Sequence, residues 1–318
     1  MKHIKHMNSY VSYNKESKVI YLAIVLNFGR CITATVIEIS AKKCHITDSL
    51  ILDDCQAADL ISQEATVNLL KNLIDVLPKA AAHKIYACFD ATTDIAYKTF
   101  RQPQDSFKDH SLKKDQDKEE LVLRVCLENQ PDGLLSIFPE YVPSVISCYE
   151  DESENILTAC YLPKVYVDNL VTACEATGLS LVKITDTAAA ITNLLKKATG
   201  DGEILVVRCK DLAIAVTPFG YLPWITPPDT DDLSPLTDSL GSFFPVTGEI
   251  NPTIITPQQL AYYAPQLADE TGDPEIAYTA LGCVFDYAKV KQNVEKQNTE
   301  EGGVRNFTSK LRQFFKKK

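Results

Sequence analysis

The residues able to do chemistry are spread thinly along this chain. His3, His6, His45, His83 and His110 are its histidines, and by spacing none joins a Ser-His-Asp arrangement or a metal-ligand pair. Ten cysteines run singly from Cys31 to Cys283 with no CxxC pair, so they read as free core thiols of a reducing compartment. Among the carboxylates, Asp186 ends "LSLVKITD" just before "TAAAITNLL", where an aspartate can accept from the free N–H groups of a helix start. The alternative, a catalytic base, has no visible partner. Arg208 and Lys210 flank Cys209 at a turn between two apolar runs, and are either solvated turn residues or cations able to grip phosphate. Near the end of the sequence, Phe307, Leu311, Phe314 and Phe315 fall at i, i+4, i+7 and i+8, with Arg305, Lys310, Arg312, Lys316, Lys317 and Lys318 supplying positive charge. Such a helix can lie on an anionic leaflet, each cation contributing about 1 kcal/mol, or the segment is a frayed, solvated end.

The elements that must position these groups are legible from periodicity. After a polar arm (1–17), "KVIYLAIVLNFG" (18–29) and "CITATVIEIS" read as two strands with Gly29-Arg30 at their turn, and "CHITDSLILD" (44–53) as a third. Leu69, Leu70, Leu73, Ile74 and Leu77 mark an amphipathic helix ended by Pro78, and "HKIYACFD" (83–90) is another buried strand. Residues 101–120 are polar and mixed in charge, a linker leading into a helix that continues to 129. "SVISCYED" and "ENILTACYL" form a hairpin around "EDESEN". Pro163 opens a helix carrying Tyr166, Leu170, Val171 and Cys174 on one face, and Gly178 closes it. Beyond Gly200-Asp201-Gly202, "EILVVRC", "DLAIAVTPFG" and "YLPW" begin a second lobe. A loop rich in proline and aspartate (225–251), "PTIITP", two short helices and a polar linker from 291 follow.

Composition bounds the function classes. With 318 residues and 45 % hydrophobic content the chain can bury a sizeable core as one large domain or two lobes. A net charge of -10 argues against nucleic acid as the main partner, since phosphate backbones select basic surfaces. No run of 18 apolar residues occurs, and the first residues lack the apolar core of a signal peptide, so a cytoplasmic protein is expected.

The element order resembles the actin-like ATPase superfamily, an α/β, ribonuclease H-like fold of two lobes, over roughly residues 18 to 290. On that reading the first lobe is 18–200 with an inserted subdomain at about 91–162, a shortened second lobe is 201–290, and 291–318 is linker and basic tail. Within the superfamily, residues 162–195 resemble the PilM family of type IV pilus assembly proteins, in which a helix, "a-a-G-L-x-x-x-x-I-D" and an alanine-rich helix recur. The matching residues are Glu175, Ala176, Gly178, Leu179, Ile184, Asp186, Ala189 and Ala190. "YTALGCVFDYA" is similar to the family's "GLAL" helix.

The resemblance implies two D-x-G phosphate loops, whose carboxylates place Mg²⁺ and whose glycines admit phosphate to the backbone. Here the first is Asn27-Phe28-Gly29 followed by Arg30, and the second is Arg208-Cys209-Lys210. The adenosine-binding glycines expected after "PTIIT" are replaced by Pro257, Gln258 and Gln259, and too little chain lies between Trp224 and Ala280 for the subdomain that closes over nucleotide. The expectation is a degenerate nucleotide site with Asn27, Gly29, Arg30, Arg208, Lys210 and Asp186 as its remnant, no catalytic residue, no metal, and ATP with Mg²⁺ not required. By resemblance, such a protein is a scaffold on the cytoplasmic face of the inner membrane in a type IV pilus or type II secretion platform, like the cytoplasmic part of GspL. It binds the short cytoplasmic N-terminus of a bitopic PilN-like or GspM-like partner, with the assembly ATPase as a further partner. Peptide binding needs only a groove or sheet edge, and Val145, Ile146, Tyr149, Ile156, Leu157 and Tyr161 are the candidate lining. Phe307, Leu311, Phe314, Phe315, Lys316, Lys317 and Lys318 are the candidate membrane contact. The alternative is an active ATPase or sugar-kinase-like nucleotide-binding protein, for which Asp90 and Asp186 are the remaining carboxylates.

Overall fold

The computed structural model describes residues 4–6, 19–29, 31–40, 44–52, 57–76, 84–90, 94–103, 115–134, 137–150, 154–195, 203–226, 232–245, 250–263 and 273–294. In chain order the elements are β1 (Ile4–His6), β2 (Val19–Phe28), β3 (Ile32–Ser40), β4 (Cys44–Leu52), α1 (Gln63–Val76), β5 (Lys84–Phe89), β6 (Ala96–Pro103), α2 (Asp115–Glu128), β7 (Tyr141–Glu150) and β8 (Glu154–Pro163). These are followed by α3 (Lys164–Thr177), β9 (Ser180–Asp186), α4 (Thr187–Leu195), β10 (Leu205–Arg208), β11 (Leu212–Thr217), β12 (Gly220–Ile225), α5 (Ser234–Phe243), β13 (Thr253–Ile255), α6 (Leu260–Tyr263) and α7 (Pro274–Val294). Contacts group the chain into two units, one of Met1–Asp90, Val165–Leu194 and Ala261–Lys318, the other of Ala91–Lys164 and Leu195–Leu260. The insert read as part of the first lobe therefore groups with residues 195–260.

The first unit is built on a six-stranded sheet in the order β1-β4-β3-β2-β5-β9. β2, β3 and β4 are an antiparallel meander, and β5 and β9 run parallel to β2, as their long connections require. Counted from β2 the order is 3-2-1-4-5, the ribonuclease H-like arrangement, with β1 added at the edge through Ile4↔Leu52. A strand of three residues inside a polar arm carries too short a pattern to be read from sequence. One face of this sheet is apolar across its central strands, with Ile24, Leu26 and Phe28 on β2 beside Ile85, Ala87 and Phe89 on β5. The Phe28 and Phe89 rings stack with centroids 5.1 Å apart, and Tyr166 of α3 stacks on Phe89 at 6.0 Å, so α3 covers that face. Asn169 of α3 donates to the Leu60 and Ile61 carbonyls ahead of α1. The helix stops at Gly178, whose φ of 71° lets Leu179 N–H return to the Cys174 carbonyl at 2.9 Å.

In the second unit, β10, β11 and β12 form a meander with β13 parallel to β10, giving the order β12-β11-β10-β13. This repeats the first four strands of the other sheet, and among the described residues no fifth follows. The fold is thus actin-like, with a shortened second sheet. Beside it lies a three-stranded sheet, β6-β8-β7. Thr158 of β8 donates to the Tyr221 carbonyl at 2.8 Å, and Ile156 packs with Val206, Ala213, Ala215 and Leu222. The other face of the small sheet, with Leu157, Ala159 and Tyr161, is covered by Val125 and Cys126 of α2.

Besides β1, two elements differ from the sequence reading. The segment 96–103 was given no strand, yet it forms edge strand β6, with Phe100 buried and Lys98 and Arg101 along the same strand. Alternation of that kind on one edge is weak against the polar stretch that follows. The proline-rich region 225–251 contains α5, with Pro235 in its first turn and Leu236 and Leu240 buried four residues apart. That leucine pair was the available signal.

Candidate functional site

The C-terminal ends of β2, β5 and β9 bring together residues distant in sequence. The register aligns Phe28 with Phe89 and Phe89 with Asp186, so the residues after Phe28 and Phe89 and the carboxylate of Asp186 lie at one sheet end. Gly29 begins the turn from β2 to β3. Asp90 N–H donates to the Phe28 carbonyl at 2.9 Å, which holds Asp90 against that turn. Its Oδ1 accepts from Thr187 Oγ1 at 2.7 Å. Its Oδ2 packs so closely on Gly29 that any Cβ there would collide with it, and would lie 3.0 Å from Cγ. Gly29 is needed because a carboxylate of the same chain takes up the space beside it.

Asp186 is fully buried and its Oδ1 accepts from Ala189 N–H at 3.1 Å, the capping contact read from the sequence. Thr187, the first residue of α4, was missed by sequence reasoning. Its partner Asp90 is 97 residues away, and no local pattern links them. Asn27, which the family resemblance sets at the carboxylate position of a phosphate loop, is buried, 6 % exposed. Arg30 lies outside the described residues.

The electrostatics of this sheet end are negative. The Cys88 thiol, one residue before Phe89, is held well above its ordinary ionisation range, first by burial, then by its hydrogen bond to Cys283, and further by the charges of Cys283, Asp90 and Asp186. No group of three or more His, Cys, Asp or Glu able to hold a metal occurs among the described residues. The Asp90 carboxylate thus rests against Gly29 with one oxygen and is held by Thr187 with the other.

The second expected loop, Arg208-Cys209-Lys210, belongs to the other unit. Arg208 ends β10, half-buried, and Lys210 is exposed in the tight turn closed by Cys209 N–H on the Leu212 carbonyl at 2.8 Å. Of the candidate partner residues, Leu157 and Tyr161 are fully buried under α2, with the Tyr161 hydroxyl donating to the Cys126 carbonyl at 2.8 Å. Ile156 is buried on the opposite face. These three are core, and a groove has to be drawn without them. Val145, Ile146 and Tyr149 on β7 are half-buried, and Tyr149 meets Phe219 edge-on at 5.3 Å. The tail residues Phe307, Leu311, Phe314, Phe315, Lys316, Lys317 and Lys318 lie outside the described residues. Among the described residues no helix is long and apolar enough to cross a membrane.

The strand order of the two sheets defines an actin-like fold. No protein-family model matches the sequence, and no curated protein matches it. Among solved structures, the chain is similar to the cytoplasmic domain of EpsL, an inner membrane component of the type II secretion system of Vibrio cholerae, at 10 % identity and a TM-score of 0.42, covering 83 % of this chain and 94 % of that one. It is also similar to a chain of the PilM-PilN type IV pilus biogenesis complex, at 13 % identity and a TM-score of 0.41, covering 92 % and 85 %. A Bacteroides thetaiotaomicron protein with an actin-like ATPase fold aligns at 8 % identity and a TM-score of 0.41, covering 81 % and 95 %.

Proposed function

We propose that this chain is a non-catalytic scaffold of an inner-membrane assembly platform, of the type IV pilus or type II secretion kind, that holds the short cytoplasmic N-terminus of a bitopic, PilN-like or GspM-like membrane protein. The observation that carries the non-catalytic part is the Asp90 carboxylate seated on Gly29 and bonded to Thr187. A turn occupied by the chain's own anion is a poor receiver of a phosphate, and Asn27 removes the carboxylate that would hold its metal. The second loop, Arg208-Cys209-Lys210, has neither carboxylate nor glycine. The platform assignment rests on the residues that resemble the PilM family, Glu175 to Ala190, in a helix, strand and helix of the expected order. On this reading the protein is cytoplasmic and works at the inner membrane by binding peptide.

Two measurements test the proposal. Calorimetry with ATP and Mg²⁺ is expected to show no saturable binding, and micromolar affinity with turnover overturns the scaffold reading. Immobilised peptides copying the cytoplasmic N-termini of bitopic inner-membrane proteins encoded nearby are expected to capture the chain. Failure of every such peptide removes the partner assignment.

A further inference from the structure

An open sheet edge invites pairing with another chain, and most edges in this protein are blocked. In the second unit, side chains of the small sheet close β12: Tyr221 N–H donates to Ser147 Oγ at 3.3 Å, and its carbonyl accepts from Thr158 Oγ1 at 2.8 Å. At β13, Thr253 and Ile255 turn their backbone to β10, Pro252 has no N–H, and Thr256 N–H is taken by Gln259 Oε1 at 2.8 Å. That leaves Ile254 alone to face outward. β7 and β9 each carry a register shift, at Ile146 and Val182, which breaks a flat ladder. The β4 edge of the first sheet is blocked over part of its length only. Thr47 is out of register with β3, and Ser49 N–H is taken by the Asp48 carboxylate at 2.8 Å. Beyond them Leu50, Ile51 and Leu52 run regularly, and β1 pairs there through Ile4↔Leu52, Lys5↔Ile51 and His6↔Leu50.

Backbone pairing is what holds β1. Among the described elements β4 is the one it rests against, and no helix packs on it to a comparable extent. A ladder of three residues forms few hydrogen bonds, and fixing three residues costs chain entropy of similar size. The pairing gains from the tether, residues 7–18, which joins β1 to β2 and presents the strand at an effective concentration of about 1 mM. Extended, that tether reaches about 40 Å. From β1 to β2 across β4 and β3 is three strand spacings, about 14 Å. The tether is thus long enough to lay β1 on its own β4 or on that of a neighbouring molecule.

We propose that β1 is an exchangeable arm through which two copies of this chain associate, each laying Ile4–His6 on the Leu50–Leu52 edge of the other. The same residues meet the same edge in the same register, so exchange gives up no backbone pairing. Each copy donates one arm and receives one, which closes the pair about a two-fold axis. The blocked edges elsewhere confine the association to this place. Because each molecule's own arm competes for the edge, exchange belongs to crowded copies: monomers prevail in dilute solution, and pairs form as the concentration nears that of the tethered arm.

Lys5 and Ile51 stand opposite each other in the ladder, and Ile51 is half-buried where Leu50 and Leu52 are buried, so this position suits a pair of thiols. Full-length Lys5→Cys and Ile51→Cys variants are mixed, equilibrated and oxidised. The disulfide joining the two introduced thiols can form only between different molecules, and peptide mass spectrometry quantifies it. At about 1 mM protein its yield is expected to exceed by about tenfold that of a mixture in which Lys71→Cys, exposed on α1, replaces Ile51→Cys, and to fall away on dilution. The double variant Lys5→Cys/Ile51→Cys is expected to close within one chain in dilute solution. A mixture that does not rise above the Lys71 reference, while the double variant closes internally, overturns the exchange. A double variant that stays open takes β1 off β4, and the proposal falls with it.

Discussion

Gly29 cannot take a side chain without moving Asp90, because a Cβ would overlap the Asp90 carboxylate. Gly29→Ala should therefore force that carboxylate out of its bond with Thr187 and destabilise by about 1–3 kcal/mol, the usual range for overpacking. In an Asp90→Ala background the same substitution should be close to neutral, since the methyl enters the vacated space. A double-mutant cycle read by urea denaturation checks this, and additive effects would mean that the two residues do not meet in solution. Asp186→Ala is a different kind of change. It removes the bond from Ala189 N–H and should cost about 0.5–2 kcal/mol, as lost caps do. The cap was legible because an aspartate at a strand-to-helix joint has few other uses. The Asp90–Thr187 pair was not, because it depends on two parallel strands ending level.

At the scale of elements, the most demanding contact is the crossing of α4 and α7. Gly282 faces the Ala190 backbone, with the carbonyl carbon 2.6 Å from where a Cβ would sit, and backbone cannot rotate aside as a side chain can. Gly282→Ala should gain about 1 kcal/mol of helix propensity and lose more by prising the helices apart, for a net loss of roughly 1–3 kcal/mol. Thermal denaturation checks the sign, and a stabilised variant would show that the helices do not approach so closely. The elements that were read correctly are the long apolar runs and periodic helices: β2, β3, β5, α1 and α3 each bury several large residues in a clean pattern. β1, β6 and α5 were not, since each is short, at an edge, or crowded by turn-forming residues. The grouping of residues 91–164 with 195–260 was also hidden, because it arises from packing between strands such as β8 and β12 that share no sequence pattern.

For the whole molecule, the buried thiols set an upper limit on the useful pH range. Burial pushes Cys126 and Cys174 each up to about 12, and Tyr161 is raised as well, first by burial and then by Cys126 and Cys160. In the unfolded chain a thiol ionises near about 8.5. The folded state thus binds more protons than the unfolded one above that point, and stability is full below it and falls as pH rises towards 12. Each of the two thiols should contribute about 1.4 kcal/mol of loss per pH unit in this window. Urea midpoints measured from pH 7 to 11 check it, and a flat profile would mean that these cysteines are solvated. The chain passes between its two units four times, after residues 90, 164, 194 and 260. Neither unit is a continuous stretch of sequence. During synthesis the first sheet has all its strands by residue 186 but waits for α7, which begins at residue 274, before the face carrying Val25 and Cys88 is covered. A nascent chain must hold that sheet half-clothed, and a fragment cut before residue 274 inherits the same nakedness for good.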